Sequence, residues 1–147
     1  STHCISSAAS DVYKRQPQSL VKAKENFRTL LDQTDCYLEF HDLTDADHFQ
    51  KELRQTDLLV NATSVGMDGE SLPISIDTRF PKELLVADII YQPFETPFLA
   101  LARKQEIEAV NGLGMLLYQA AGAFKLWTGE NMPTGAIWQE LENIYNS

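Results

Sequence analysis

Two short runs without polar alternation, Leu58-Leu59-Val60 and Leu84 to Ile90, constrain this fold more than any other feature. A strand with one wet face alternates apolar and polar residues. A continuous apolar run suits a strand covered on both faces, as in parallel sheets flanked by helices. Helical spacing surrounds these runs. Leu20, Ala23, Phe27, Leu30 and Leu31 recur with that period after Pro17, which suits a first turn. Cys36 to His41 alternates like a strand, and Asp45 is placed to cap a helix through Arg54 with Phe49 and Leu53 facing inward. Thr96 to Gln105 reads as a helix, Ile107 to Val110 as a short strand and Leu113 to Trp127 as a long helix. Pro133 opens a last helix with Ile137, Trp138, Leu141 and Ile144 on its inner side. The expected order, α-β-α-β-α-β-α-β-α-α, gives an α/β layered domain with a mostly parallel sheet. Residues 1–16 are rich in Ser and Ala and show no period, so they are expected to be a disordered or non-native leader to a domain over 17–147.

The 147 residues suffice for one domain with a hydrophobic core. A formal net charge of −9 argues against a nucleic-acid partner or an anionic membrane surface, both of which need clustered Lys and Arg. It is compatible with a small anionic ligand. The longest apolar stretch, Gly112 to Trp127, is interrupted by Gln119 and Lys125, which excludes a membrane span there. No export signal is visible, and a cytoplasmic setting is expected. Cys4 and Cys36 lack the spacing of a zinc site or disulfide framework. His3, His41 and His48 have no accompanying nucleophile in a recognisable arrangement.

In an open parallel sheet, ligands bind beyond the carboxyl ends of the strands. Three segments fall there: Asn61-Ala62-Thr63-Ser64-Val65-Gly66-Met67, then Tyr91-Gln92-Pro93, then Asn111-Gly112-Leu113-Gly114-Met115. Small residues allow close approach of a ligand to the backbone, and Gly66 permits a sharp turn. The last segment opens a helix, whose N-terminal N–H groups suit a polar group. On that helix Leu113, Leu116, Leu117, Ala120, Phe124 and Trp127 form the expected core stripe, with Gln119 at its margin. An amide there suits hydrogen bonding to a hydroxylated or carboxylated small molecule. Each residue also has a plainer reading. Asn61 and Thr63 are turn formers, Tyr91 suits a core with its hydroxyl satisfied, Gly112 and Gly114 suit a helix entry, and Gln119 suits a surface.

Together, these strings resemble the shikimate dehydrogenase family in order and spacing: the segment from Asn61 to Met67, then Asp88-Ile89-Ile90-Tyr91 with Thr96-Pro97-Phe98-Leu99, then Asn111 to Leu116 with Gln119-Ala120-Ala121 and Phe124 to Gly129. Thr34-Asp35-Cys36 and Leu126-Trp127-Thr128-Gly129 are closer to the quinate/shikimate branch. The resemblance implies the C-terminal, cofactor-binding part of a two-domain oxidoreductase of aromatic amino-acid biosynthesis. Its members move a hydride between NADP (or NAD) and shikimate or 3-dehydroshikimate, with quinate a further possible substrate. It implies substrate contacts from Tyr91 and Gln119. Gly112 and Ile89 would lie against the nicotinamide end, and Asn61, Ala62 and Thr63 along the wall nearer the ribose and adenine.

The sequence departs from the family as well. No segment matches the domain that carries the family's catalytic Lys and Asp, and no GxGxxG-like turn occurs. The family's basic 2′-phosphate reader should precede Lys22-Ala23, where this sequence has only the leader, with Arg15 as a weak stand-in. The expectation is a partial Rossmann-like fold that retains strands 3 to 6 of the order 3-2-1-4-5-6 and lacks its first strands. The Cys36 to His41 strand would then lose its neighbours, and Leu58 to Val60 would gain an exposed edge. The alternative is a binding or regulatory module that keeps the Tyr91/Gln119 pocket without hydride transfer.

Overall fold

The computed structural model describes residues 9–14, 17–31 and 37–146. They fall into two compact units, Ser1–Phe49 and Gln50–Ser147.

In the first unit, strand β1 (Ala9–Lys14) precedes helix α1 (Pro17–Leu31) and strand β2 (Tyr37–Asp42). β1 and β2 pair in parallel over six positions, from Ala9 with Tyr37 to Lys14 with Asp42. This corrects two expectations. Part of the stretch read as an unstructured leader is a strand, and β2 has a neighbour. ASDVYK has little strand propensity of its own, so the pairing is a tertiary effect that local pattern does not show. Tyr13 stacks on His41 and meets Phe49 edge-on, and Phe27 lies against Phe40. His48 and His41 are within hydrogen-bond distance at 2.9 Å, and His41 is 3.1 Å from Glu39. Among the described residues no group of three or more His, Cys, Asp or Glu is arranged to hold a metal ion. Arg15 and Thr34 to Cys36 lie outside the described residues.

Helix α2 (Ala46–Leu53) starts where Asp45 accepts a hydrogen bond from the His48 N–H. Its Phe49 and Leu53 are buried, as the spacing predicts. In the second unit, strands β3 (Leu58–Asn61), β4 (Leu85–Asp88) and β5 (Ala109–Val110) form a parallel sheet of order β3-β4-β5. Val86 pairs with both Leu59 and Ala109, so β4 is central. Helix α3 (Pro97–Lys104) buries Phe98, Leu99 and Ala102. Leu53, Leu84, Val86, Ile90, Ile107, Leu113 and Leu117 complete the core. The α/β class read from the alternation is the one observed, with the Rossmann-like parallel pairing that the resemblance implies.

β3 is an edge strand, as expected, but it is covered on one face only. Leu58 and Val60 are exposed while Asn61 is buried. The run is therefore not doubly buried. Between β3 and β4 the expected helix is replaced by turns. Gly66 (φ +108°) and Gly69 (φ +75°) adopt left-handed backbone that interrupts helical dihedrals, and Asp68 binds the N–H groups of Glu70 and Ser71. Two glutamines fasten the far end of this segment. Gln50 exchanges two hydrogen bonds with the Arg79 backbone, and Gln105 binds the Thr78 carbonyl and the Phe80 N–H.

Helix α4 (Leu113–Thr128) ends at Gly129 (φ +79°), whose N–H bonds the Lys125 carbonyl. Helix α5 (Thr134–Asn146) returns so that Tyr145 stacks on Phe94 and Trp138 approaches Gly114. The expected stripe on α4 is half correct. Leu113 and Leu117 are buried, but Ala120 and Phe124 are exposed and Trp127 is 85% exposed. On α5, Trp138 is half-buried and Ile144 is exposed. Helical period marks the apolar side of each helix but not whether the described chain reaches it. No described helix is long and apolar enough to cross a membrane.

Candidate functional site

The carboxyl ends of β3, β4 and β5 lie side by side. The Ile89 N–H bonds the Asn61 carbonyl at 3.1 Å, and the Gly112 N–H bonds the Ile90 carbonyl at 2.9 Å. Three segments distant in sequence are thereby locked into one rim.

Asn61 and Asp88, the last residues of β3 and β4, face each other in register and are both buried. The Asn61 amide nitrogen donates to both Asp88 carboxylate oxygens at 3.2 Å and to the Val65 carbonyl at 3.0 Å. Its amide oxygen accepts from the Thr63 N–H (3.2 Å) and hydroxyl (2.7 Å). The Thr63 hydroxyl in turn accepts from the Val65 N–H. Both side chains therefore shape the turn, and its Ala62 to Ser64 tip is exposed. Gly66 lies under the turn with Thr96 and Ile90 about it, in a conformation that favours glycine.

Asp88 also accepts from the Ile90 N–H at 3.0 Å and from the Thr96 hydroxyl at 2.8 Å. Thr96 is the N-cap of α3 and accepts from the Leu99 N–H at 3.3 Å. Pro97 follows at the first helical position, where its missing N–H costs nothing. Sequence reasoning assigned no role to Asp88 or Thr96. The available signals were a lone carboxylate closing an apolar strand and a Thr-Pro pair marking a helix start.

Gly112 is pressed against the preceding strand end. A Cβ built on it would lie 1.9 Å from the Ile89 carbonyl oxygen and 2.4 Å from the carbonyl carbon. Only a residue without a side chain fits there. Asn111 ties the same corner, donating to the Phe94 carbonyl and accepting from the Leu113 N–H. The structure thus brings Ile89, Gly112 and the Asn61-Ala62-Thr63 turn to one rim. Tyr91, 43% exposed, follows directly on Ile90, and Gln119 is exposed on α4. Among the described residues neither side chain has a hydrogen-bond partner.

The C-terminal end of this region, residues 112–142, matches the family profile of the shikimate 5′-dehydrogenase C-terminal domain. A curated relative from Streptococcus thermophilus, shikimate dehydrogenase (NADP(+)), is 98% identical over 136 residues, covering 92% of this chain and 47% of the relative. Over nine-tenths of its length the chain is thus similar to shikimate dehydrogenases. Among solved structures, the shikimate 5-dehydrogenase of Listeria monocytogenes, in complex with shikimate and NAD, superposes with a TM-score of 0.80 at 34% identity, over 90% of this chain and 47% of that one. The shikimate 5-dehydrogenase of Thermus thermophilus, in complex with NADP(H) and shikimate, gives 0.65 at 32% identity, over 85% and 42%. The chain spans about half the length of the shikimate dehydrogenases it matches.

Proposed function

We propose that this chain forms the cofactor-side wall of a shikimate dehydrogenase, acting in reversible hydride transfer between NADP and shikimate or 3-dehydroshikimate. NADP is favoured because it stands in the name of the Streptococcus thermophilus relative, although the Listeria structure holds NAD. The observation that carries the reading is the meeting of three family strings at one rim, with the Gly112 backbone seated on Ile89.

The bound nicotinamide supplies or accepts the hydride, and the protein aligns it. Ile89 and Gly112 offer a flat surface of backbone and aliphatic side chain for that ring. The Asn61-Ala62-Thr63 turn, whose polar side chains are satisfied internally, offers its exposed tip along the ribose and adenine. Tyr91 supplies a hydroxyl and Gln119 an amide, both suited to the hydroxyl and carboxylate groups of shikimate. The residues fit the nicotinamide end better than the pyrophosphate, since no GxGxxG-like turn is available to receive phosphates. By itself, therefore, this polypeptide binds dinucleotide weakly and turns over no substrate.

The test is a hybrid enzyme in which the matching segment of the Streptococcus thermophilus relative is replaced by this sequence. Shikimate-dependent reduction of NADP+ is expected. Gln119→Ala should raise the KM for shikimate about tenfold or more, as loss of one hydrogen bond to a charged or polar ligand group costs roughly 1.5–3 kcal/mol. Unchanged shikimate kinetics in that variant would remove Gln119 from the site.

A further inference from the structure

Among the described residues, the hydrogen-bonding partners of the Asp88 side chain lie on three different pieces of the rim. One is Asn61, at the end of β3 and the start of the Asn61-Ala62-Thr63 turn. Another is the backbone N–H of Ile90, in the segment that carries Ile89 and Tyr91. The third is Thr96, the cap that starts α3. Asp88 itself is 3% exposed, so water does not compete for these bonds. The bond to Ile90 bends the chain two residues past β4, and the Ile90 carbonyl then receives the Gly112 N–H.

We propose that Asp88 is the positioning residue of this site: a single buried carboxylate that sets the cofactor-side turn at Asn61-Ala62-Thr63 and the nicotinamide-side corner at Ile89 and Gly112 relative to one another. The proposal rests on the functional reading above for what the rim holds, and on the hydrogen bonds alone for how it is held. A carboxylate suits the place because all groups facing it are donors and it offers only acceptors. An amide of the same shape would turn its NH2 group toward Asn61 Nδ2 together with either the Ile90 N–H or the Thr96 hydroxyl. One bond would be lost and two donors opposed. Thr96 acts through Asp88, since its hydroxyl donates to the carboxylate while accepting from the Leu99 N–H in the first turn of α3.

Two measurements test this. In the full chain without cofactor, amide hydrogen exchange at Ile90 and Gly112 should accelerate at least tenfold in Asp88→Asn and in Thr96→Val, while amides inside α4 change little. In the hybrid enzyme, the same substitutions should raise the KM for NADP at least tenfold with a smaller change in the KM for shikimate, and Thr96→Ser, which keeps the hydroxyl, should restore wild-type values. If Asp88→Asn does not fold, the Thr96→Val and Thr96→Ser pair carries the same test. Equal acceleration of exchange throughout the second unit, or an unchanged KM for NADP in a folded variant, would show that Asp88 only stabilises the fold. A hybrid enzyme of wild-type sequence without shikimate oxidation would instead overturn the functional reading and leave the exchange result to decide the positioning role.

Discussion

A methyl group at position 112 would occupy space held by the Ile89 carbonyl, and both partners are backbone, so neither can swing aside. Gly112→Ala should cost at least the roughly 1–3 kcal/mol typical of overpacking, read as a lower urea midpoint. Gly122, on the exposed side of α4 with nothing within 4 Å of its Cβ position, is the control. There the same substitution should raise stability by about 0.4–1 kcal/mol. Asp68 offers a test of charge at the same scale. Hydrogen bonds from the Ser71 hydroxyl, then from the Ser71 and Glu70 N–H groups, hold its carboxyl at about 2, below the ordinary 3.8. A carboxyl lowered by folding stabilises its loop above the unfolded value, and that contribution is lost as pH falls from 3.8 through about 2. An NMR titration of Asp68 should show the low midpoint, and Ser71→Ala should move it back toward 3.8.

Elements were legible where local chemistry sets their limits. Thr96 with Pro97 fixes the start of α3, Gly129 the end of α4 and Asp45 the start of α2, and the structure places them there. β1 was not legible, because Ala9 to Lys14 shows no alternation and becomes a strand only through its register with β2. Nor was the turn-rich segment before β4, whose form depends on Gln50 and Gln105 reaching in from helices on either side. The strings at the strand ends were visible as motifs. What they do to one another was not, since the pairing of Asn61 with Asp88 is a contact between strands 27 residues apart. The reach of the core was misjudged most on α4. Leu113→Ala should cost about 2–5 kcal/mol, as for a buried leucine, whereas Trp127→Gln should change the stability of this chain by less than about 0.5 kcal/mol despite the size of the side chain. Chemical denaturation of the two variants separates the cases directly.

At the scale of the whole molecule, the chain spans about half of its relatives and carries apolar surface on β3, β5 and α4 of the second unit. Leu58, Val60 and Val110 are open on one face of the sheet, and Tyr118, Leu126 and Trp127 are open on α4. The rim is nevertheless assembled by this chain's own hydrogen bonds, from Asn61 through Asp88 to Gly112. The wall is therefore present in this chain, and the proposed reaction needs more than the wall. The most direct test compares NADP+ reduction by shikimate in the isolated chain and in the hybrid enzyme. No turnover above background is expected for the chain, and a kcat/KM within about tenfold of the Streptococcus thermophilus relative for the hybrid. Turnover by the isolated chain, or a folded hybrid unable to oxidise shikimate, would contradict this expectation.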